Sequence, residues 1–371
     1  MRVAIEAASL ALSSGGLQRY TSELSLALAR CFPGDEFYLT SDQPFRMPSG
    51  APPNLKRGGG PTNALERRWW LWGLAREMRR LSADLVHGPD FAVPYISGRP
   101  SVLTLHDLSP WMDRRWHGDA VRVRHRTPVL LDMGIATMVI TPSESVRKQA
   151  LERFRLRPER VVAVPEAAAP WFAPVEPAPI EQAPVELAPV EPDAPRGRRY
   201  FLFVGTLEPR KNLSALVEAW REVRRGQAPD HAVDLVLAGR RRADYPPLPH
   251  EPGLEILGEV PDEQLPALYS GALAFVYPSL YEGFGLPVLE AMQCGACVIA
   301  SRAVAEAAGD AAIYADGPAE LARSMQDLLE HPERAPEWRA RSLAHAREFT
   351  WERTARATYE VYQEARKRFG R

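Results

Sequence analysis

Short runs of Val, Ile and Leu alternate with longer amphipathic stretches along most of the 371 residues. The runs are nearly continuous in apolar residues, which is typical of parallel strands covered by helices on both faces. The predicted strands are residues 3–5, 36–40, 84–87, 101–105, 137–141, 161–164, 200–204, 233–238, 255–257, 273–277 and 297–300. This rhythm predicts an α/β protein with two doubly wound, Rossmann-like domains facing across a cleft, since such sheets bind ligands at the carboxyl ends of their strands.

A low-complexity segment separates the two halves. Four pentapeptides, each opening with proline and carrying a glutamate, begin at Pro174, Pro179, Pro184 and Pro189. Proline lacks the backbone donor that a helix or a central strand needs, and the like charges repel, so an extended spacer is expected. The predicted organisation is an N-terminal domain over residues 1–172, a linker over 173–197 and a C-terminal domain over 198–352.

Composition narrows the possible functions. The chain has 46 Lys and Arg against 47 Asp and Glu, so a global attraction to nucleic acid is not expected. Three cysteines are too few for a secreted disulfide framework, which favours a reducing, cytoplasmic compartment. Glu6 interrupts the apolar start of the chain, so we interpret this start as a strand and not as a signal peptide. No run approaches the ~20 apolar residues of a membrane span.

The most specific chemistry follows the first strand of the C-terminal half. Gly205 allows a turn, and Arg210 and Lys211 come just before a helix expected near Leu213, with Asn212 as its cap. Two cations beside a helix N-terminus suit a diphosphate, because the helix dipole and the peptide N–H groups add to both charges. For an isolated Arg-Lys pair, solvated surface charge is the more common alternative.

A second loop carries two carboxylates eight residues apart. Glu282 precedes a turn containing Gly283 and Gly285. Pro287 suits the first turn of the next helix, and Glu290 is expected in that turn as well. Such acids can simply complement a helix dipole. With a basic pair on another loop of the same sheet, however, they form a set suited to sugar hydroxyls, ribose and pyrophosphate together.

These segments resemble the retaining GT-B glycosyltransferases of family 4, which include bacterial mannosyl- and rhamnosyltransferases of surface-polysaccharide assembly. The resemblance covers most of the chain and lies in residues 15–20, 105–107, 141–145, 204–212 and 282–290, with Gly295 beyond. It implies a nucleotide-sugar donor, with GDP-mannose favoured, and a glycan or lipid-linked acceptor. It also implies a last helix, over residues 353–371, that crosses back to the first domain.

The resemblance gives each matching residue a role. Arg210 and Lys211 would hold the donor pyrophosphate and stabilise the leaving nucleoside diphosphate. Glu282 would lie beside the transferred sugar as an electrostatic partner, Glu290 would accept from the ribose, and the family histidine matching His106 contacts the sugar across the cleft. The donor-binding backbone would be supplied by Gly15, Gly16, Gly205, Phe284, Gly285 and Leu286.

The expected reaction is a retaining hexosyl transfer by front-face attack, in which the leaving phosphate oxygen takes the proton of the acceptor. The sequence contains no Asp-x-Asp, so neither a metal nor another cofactor is expected, and the two cations with the helix dipole would replace the metal. Two alternatives stay open. One is a nucleotide-sugar 2-epimerase of the same architecture, and the other is a non-catalytic subunit that partners an active enzyme.

Two further motifs have structural and functional interpretations. Cys294 and Cys297 spell Cys-x-x-Cys, but they lead from a helix into a buried strand, so we interpret them as small core residues. Trp111, Arg114 and Arg115 are candidate acceptor contacts, because aromatic rings stack on sugars and arginines reach hydroxyls or phosphates. A surface loop without function is the alternative.

A tryptophan-rich segment suggests contact with a membrane. Residues 65–81 can be wound as one helix with a core face, and Trp69 and Trp72 then fall toward the side that carries Arg76. Tryptophan beside arginine on an exposed face suits an anionic bilayer surface. The hypothesis is peripheral binding at the inner face of the plasma membrane, and the alternative is that both indoles pack under a neighbouring loop.

Overall fold

The computed structural model describes residues 1–12, 15–96, 98–116, 120–175, 199–225, 227 and 232–369. The chain divides into two units, one formed by Met1–Ala167 with Phe349–Arg371 and the other by Ala168–Glu348. Each unit contains one parallel sheet with helices, which confirms the predicted pair of Rossmann-like folds. Residues 176–198, which include most of the predicted linker, lie outside the described residues.

Unit 1 is built on seven parallel strands. They are β1 (Arg2–Glu6), β2 (Glu36–Thr40), β3 (Leu55–Arg57), β4 (Leu85–Gly88), β5 (Ser101–Thr104), β6 (Met138–Thr141) and β7 (Val161–Ala163). The helices before the linker are α1 (Gly16–Cys31), α2 (Leu74–Arg80), α3 (Ser109–Met112), α4 (Val121–Asp132) and α5 (Glu144–Phe154). The strand order β3-β2-β1-β4-β5-β6-β7 reverses between β1 and β4, and ligand sites of open α/β sheets lie at such switch points.

Unit 2 is built on six parallel strands. They are β8 (Tyr200–Val204), β9 (Asp234–Ala238), β10 (Leu254–Gly258), β11 (Ala274–Tyr277), β12 (Val298–Ala300) and β13 (Ile313–Tyr314), in the order β10-β9-β8-β11-β12-β13. Its helices are α6 (Leu213–Arg225), α7 (Leu265–Gly271), α8 (Leu286–Gln293), α9 (Ala305–Ala308), α10 (Pro318–Glu330) and α11 (Ala335–Ala346). The switch point falls between β8 and β11, so the loops that follow these two strands are neighbours.

The last helix, α12 (Trp351–Arg368), belongs to unit 1. The Tyr362 hydroxyl lies 2.7 Å from Nδ1 of the buried His87 in β4. The Tyr359 ring stacks on Phe32, just after α1, with ring centroids 3.7 Å apart. Residues 349–352, predicted in the C-terminal domain, therefore join unit 1, and residues 168–172, predicted in the first domain, join unit 2.

All eleven predicted strands are present, with ends that differ by at most one residue. Their apolar runs could be recognised because they are buried on both faces. The prediction missed β3 and β13, which are edge strands of three and two residues. Both residues of β13 are half-buried, and two of the three in β3 are exposed, so neither strand leaves an apolar run in the sequence.

The helix predicted over residues 65–81 is replaced by a π-helical turn, Trp69–Gly73, followed by α2. The i→i+5 bonds of a π turn rotate the flanking side chains relative to a continuous α-helix. Trp69 is only 2% exposed and packs in an apolar cluster, whereas Trp72 is 38% exposed. The prediction that both indoles are exposed is therefore wrong for Trp69. Within the described ranges, no helix is long and apolar enough to cross a bilayer.

Candidate functional site

In unit 2, the loops after β8 and β11 are joined by hydrogen bonds. A 3-10 turn, Pro209–Lys211, leads from β8 into α6. The backbone N–H of Leu280, in the loop after β11, donates to the Arg210 carbonyl at 2.9 Å. Asn212 was predicted to cap α6, but its side chain donates to the Pro278 carbonyl at 3.3 Å. Asn212 thus fixes the second loop against the first.

An ion-pair network lies where these loops meet. Glu282 accepts from both predicted cations: Arg210 Nη1 lies 2.9 Å from Oε2, and Lys211 Nζ lies 2.6 Å from Oε1. Arg210 also pairs with Glu208 at 2.9 Å, and Arg242 lies 3.5 Å from the other Glu208 oxygen. Arg242 also pairs with Asp244, so the network holds three cations and three carboxylates and carries no net charge. The two predicted cations therefore face the Glu282 loop and are held in place before any ligand arrives.

Burial makes this network electrostatically strong. The side chains of Arg210, Lys211 and Glu282 are between 8% and 11% exposed. Burial alone would raise the pKa of Glu282, but the charges of Arg210 and Lys211 outweigh it and lower that pKa to about 2. Burial lowers the pKa of Lys211, against the opposing effect of Glu282. Glu282 is therefore a carboxylate at neutral pH and has no proton to donate.

The helix after the Glu282 turn presents its N-terminus at the same loop. Gly285 has φ +118°, and a Cβ there would lie 2.8 Å from Val304 Cγ1, so this position requires glycine. Leu286 is the first residue of α8, where helical geometry leaves the N–H without an intrahelical acceptor. Pro287 has no N–H to satisfy. The turn therefore directs a donor and the positive end of the helix dipole outward.

Glu290 lies deeper than the sequence predicted. Because α8 begins at Leu286, Glu290 is its fifth residue, in the second turn and not the first. The residue is 1% exposed, and its Oε2 accepts from the Tyr269 hydroxyl of α7 at 3.2 Å. The expected location in the first turn is therefore wrong, although the residue lies on the predicted helix.

Two glycines bring the ends of β8 and β9 together. Gly205 and Gly239 both have positive φ, and a Cβ on Gly239 would lie 2.0 Å from the Gly205 carbonyl oxygen. This contact brings the loop after β9, with Arg242, toward Glu208. The roles of Gly239 and Arg242, and the pairing of Glu208 with arginine, were not predicted. Three consecutive arginines follow Gly239 at the end of a predicted strand, and this run could have indicated a further basic loop at the same edge of the sheet.

In unit 1, His106 follows β5 and is held by two acceptors. Its Nδ1 lies 3.1 Å from Glu166 Oε1, and its Nε2 lies 2.7 Å from the Pro89 carbonyl oxygen. The Pro89 carbonyl only accepts, so Nε2 donates, and a carboxylate partner at Nδ1 favours the doubly protonated imidazolium. Burial lowers the pKa of His106, but the hydrogen bond and the charge of Glu166 raise it above its ordinary value. Both nitrogens thus bind the protein, so a nitrogen contact with a sugar would have to replace one of these bonds.

A neutral acid lies at the carboxyl end of β1. Glu6 is 2% exposed and accepts from the Ala8 N–H at 3.2 Å. Burial raises the pKa of Glu6 to about 8, and the charges of Asp90 and Asp42 add to the rise. Glu6 is therefore mostly protonated at neutral pH, unlike Glu282.

The predicted glycine loop and acceptor segment are partly described. Gly15 has φ +116° and precedes α1, which begins at Gly16. Trp111 is half-buried: its ring meets Phe154 edge-on at 5.2 Å, and its Nε1 donates to the Arg124 carbonyl. This packing does not favour stacking of a sugar on the indole.

The two predicted arginines of the acceptor segment lie on the surface. Arg115 pairs with Asp113 at 2.6 Å, and Arg114 is exposed. Residues 117–119, which complete the predicted segment, lie outside the described residues. A role in acceptor binding stays a prediction for both arginines.

The Cys-x-x-Cys pair is part of the core. Cys294 and Cys297 are buried free cysteines. Burial raises the pKa of each thiol to about 12, so neither is a thiolate at neutral pH. Across the described residues, no group of three or more His, Cys, Asp or Glu is arranged to hold a metal ion.

Comparisons with known proteins identify the family of the chain. A family profile described as Glycosyltransferase Family 4 matches residues 14–168, and one described as Glycosyl transferases group 1 matches residues 198–331. O-antigen chain mannosyltransferase B of Escherichia coli is 34% identical over 306 residues, which cover 75% of this chain and 74% of that protein.

Solved structures show the same fold at lower identity. Anabaena Alr3699/HepE in complex with UDP-glucose has a TM-score of 0.70 at 16% identity, with 98% of this chain and 100% of that one covered. WaaG, a glycosyltransferase involved in lipopolysaccharide biosynthesis, has a TM-score of 0.65 at 14% identity, with both chains fully covered. At such identities the likeness shows the fold alone.

Proposed function

Because the chain belongs to family 4 of the glycosyltransferases and resembles an O-antigen mannosyltransferase, we propose that it transfers mannose from GDP-mannose with retention of configuration. The acceptor we propose is a glycan or a lipid-linked saccharide of cell-surface polysaccharide synthesis. The glycosyltransferase class rests on the family. The choice of mannose is supported by the relative, which is 34% identical over three quarters of the chain.

The observation that carries the proposal is the buried network of Arg210, Lys211 and Glu282. A donor diphosphate beside the two cations would receive charge-assisted hydrogen bonds, and the N-terminus of α8 would add its dipole. These groups would stabilise the leaving nucleoside diphosphate most when the glycosidic bond breaks, because the negative charge on the phosphate then increases. Positioned charges of this kind act without reorganising water.

Glu282 acts in this proposal as an ionised partner of the sugar and not as a nucleophile. Both its oxygens already bind cations, and its pKa is about 2, so it is neither a proton donor nor a strongly basic attacking group. Its negative charge would favour an oxocarbenium-like sugar beside it. The leaving phosphate oxygen would then take the proton of the acceptor hydroxyl, on the face from which it departs.

The network also suggests that no metal is needed. Arg210 and Lys211 supply two buried positive charges that a donor diphosphate could meet directly, and the N-terminus of α8 would add its dipole. Glu290 belongs to the proposal as the ribose acceptor, although its carboxylate is buried beside Tyr269. Transfer that persists in excess EDTA would support the absence of a metal, and loss of transfer that Mg²⁺ or Mn²⁺ restores would contradict it.

A transfer assay with matched lysine variants tests the proposal. We expect Lys211→Met to lower transfer from GDP-mannose at least about 100-fold, as loss of a group that stabilises developing charge does in other enzymes. The control, Lys148→Met, makes the same change at an exposed lysine and should retain full activity. Near-normal transfer by Lys211→Met would refute the assigned role.

The same assay also tests the donor, the stereochemistry and the two alternative functions. Parallel reactions with UDP-, ADP- and dTDP-sugars test the donor, and the anomeric coupling constant of the product tests retention. Consumption of a nucleotide sugar without any acceptor, with formation of its C2 epimer, would identify an epimerase. Tight donor binding without turnover on any acceptor would favour a non-catalytic subunit.

A further inference from the structure

The outer face of α4 carries apolar side chains that the fold does not bury. Val121, Val129 and Met133, the last just after the helix, are 54%, 42% and 72% exposed, and their spacing of four or eight residues places them along one side. A helix that packs on a sheet normally presents polar residues to water on this side. Three exposed apolar side chains in one line therefore point to a surface that meets another phase or molecule.

A basic groove runs beside this apolar line. It has a volume of about 1150 Å³, and its lining includes Pro128 and Leu131 of α4 and residues 153–157 at the end of α5. Arg153, Arg155 and Arg157 are exposed there, alternating with two buried residues. The acids of the lining are Asp132 and Glu152.

The surrounding segment has a strong charge bias. Residues 120–160 contain nine Lys and Arg against four Asp and Glu, a net charge of +5 in a chain whose total is −1. Arg155 also adopts the left-handed conformation at the end of α5, with φ +48°, where glycine or asparagine is favoured. A large cationic side chain thus occupies a position whose left-handed backbone favours glycine or asparagine.

The combination of exposed apolar side chains and unbalanced positive charge suits the surface of an anionic bilayer. Arginines bind the phosphates of anionic lipids, and apolar side chains enter the boundary between headgroups and acyl chains. A free phosphate would use the arginines but would leave the exposed Val129 and Met133 unexplained. Nucleic acid would equally leave the apolar line without a partner.

We propose that unit 1 docks on an anionic membrane through the α4 surface, defined as Val121, Val129 and Met133 with Arg153, Arg155 and Arg157. This surface differs from the one expected from Trp69, which is buried. The proposal does not rest on the transfer reaction, because none of the six residues belongs to unit 2.

Vesicle sedimentation of the full chain tests the proposal. The wild-type protein should bind vesicles of phosphatidylcholine with phosphatidylglycerol and leave vesicles of phosphatidylcholine alone unbound. Each surface arginine is worth roughly fivefold in partitioning at low salt. We therefore expect Arg153→Ser/Arg155→Ser/Arg157→Ser to weaken binding at least tenfold, and Val129→Ser/Met133→Ser to weaken it severalfold even when salt screens the charges.

A matched control removes three exposed arginines from unit 2, as Arg323→Ser/Arg334→Ser/Arg341→Ser. This variant should bind as the wild type does, and all variants should retain the wild-type circular dichroism spectrum and transfer to an acceptor in solution. Equal loss of binding in the control, or unchanged binding by the α4-surface variants, would overturn the proposal. So would a thermal shift with inorganic pyrophosphate that only the Arg153, Arg155 and Arg157 variant loses, because the site would then hold a soluble phosphate.

Discussion

Replacing Glu282 by glutamine tests the charge network directly. Glu282→Gln keeps the size of the side chain but removes the carboxylate that Arg210 and Lys211 share. The pKa of Glu282 is lowered from 4.5 to about 2. At 1.36 kcal/mol per unit, this shift corresponds to about 3 kcal/mol of stabilisation of the folded state at neutral pH. The group is 8% exposed, so solvent screening reduces this value little.

The stability that Glu282→Gln is predicted to lose is larger at neutral pH than at acidic pH. A carboxylate with a depressed pKa stabilises the fold fully above its unfolded pKa of 4.5, and the stabilisation disappears as the pH falls toward 2. The difference in free energy of unfolding between wild type and Glu282→Gln should therefore be about 3 kcal/mol at pH 7 and smaller at pH 4. Urea unfolding followed by tryptophan fluorescence measures it. Glu251→Gln is the matched control, because Glu251 pairs with Arg221 at the surface and its loss should change stability by less than about 1 kcal/mol.

The variant should also respond differently to ligand. Without Glu282, the two buried cations lack their shared partner, so a nucleoside diphosphate meets less competition for them. We expect Glu282→Gln to bind GDP at least about tenfold more tightly than the wild type in calorimetry, while transfer falls by orders of magnitude. Unchanged or weaker GDP binding, together with full stability at pH 7, would refute the electrostatic account of this site.

Three further predictions concern single residues. Gly285→Ala should lower stability by about 1–3 kcal/mol in urea and weaken GDP binding, because φ is +118° and the new methyl group meets Val304; wild-type values in both assays would contradict the turn geometry. Because burial raises the pKa of Glu6 to about 8, Glu6 should lower the free energy of unfolding of the wild type by up to about 1.4 kcal/mol per pH unit as the pH rises from 4.5 through 8. Glu6→Gln should reduce the slope of stability against pH by this amount, and an identical slope in the variant would exclude a contribution from Glu6. His106→Gln should be most destabilising below pH 6.5, the unfolded pKa, because the stability that protonated His106 provides is lost as the pH rises through its raised pKa in the folded state. A loss of stability that is the same at every pH would rule out the imidazolium.

The sequence was sufficient to predict the two sheets and to place the Arg210-Lys211 loop and the Glu282 loop on the same sheet. Strands such as β8 and β11 are continuous apolar runs, and parallel topology brings the loops at their carboxyl ends together. The meeting of Lys211 with Glu282, 71 residues apart, follows from that topology. Which oxygen each cation binds, and how Glu208 and Arg242 extend the network, depends on side-chain packing that no periodicity encodes.

Other features escaped prediction because tertiary contacts determine them. The π turn at Trp69–Gly73 brings Gly73 so close to the Glu66 carbonyl that a Cβ would lie 2.2 Å from the oxygen. Helical periodicity could not reveal that constraint, and the exposure of Trp69 was misjudged as a result. Likewise, Glu166 reaches His106 because the chain after β7 returns to the end of β5, two strands away in the sheet, and no local pattern reveals that contact. Glu290 was misplaced because helix starts are uncertain by one or two residues.

The return of α12 to unit 1 has a consequence for biosynthesis. The sheet of unit 1 is synthesised before unit 2, but the helix that supplies Tyr362 to His87 is synthesised after unit 2. Unit 2 is continuous in sequence and can fold as soon as residue 348 has emerged. A nascent chain stopped at that point would contain all of unit 2, but unit 1 would lack α12 and its contacts with His87 and Phe32. Unit 1 can therefore complete its fold only after the whole of unit 2 has been synthesised.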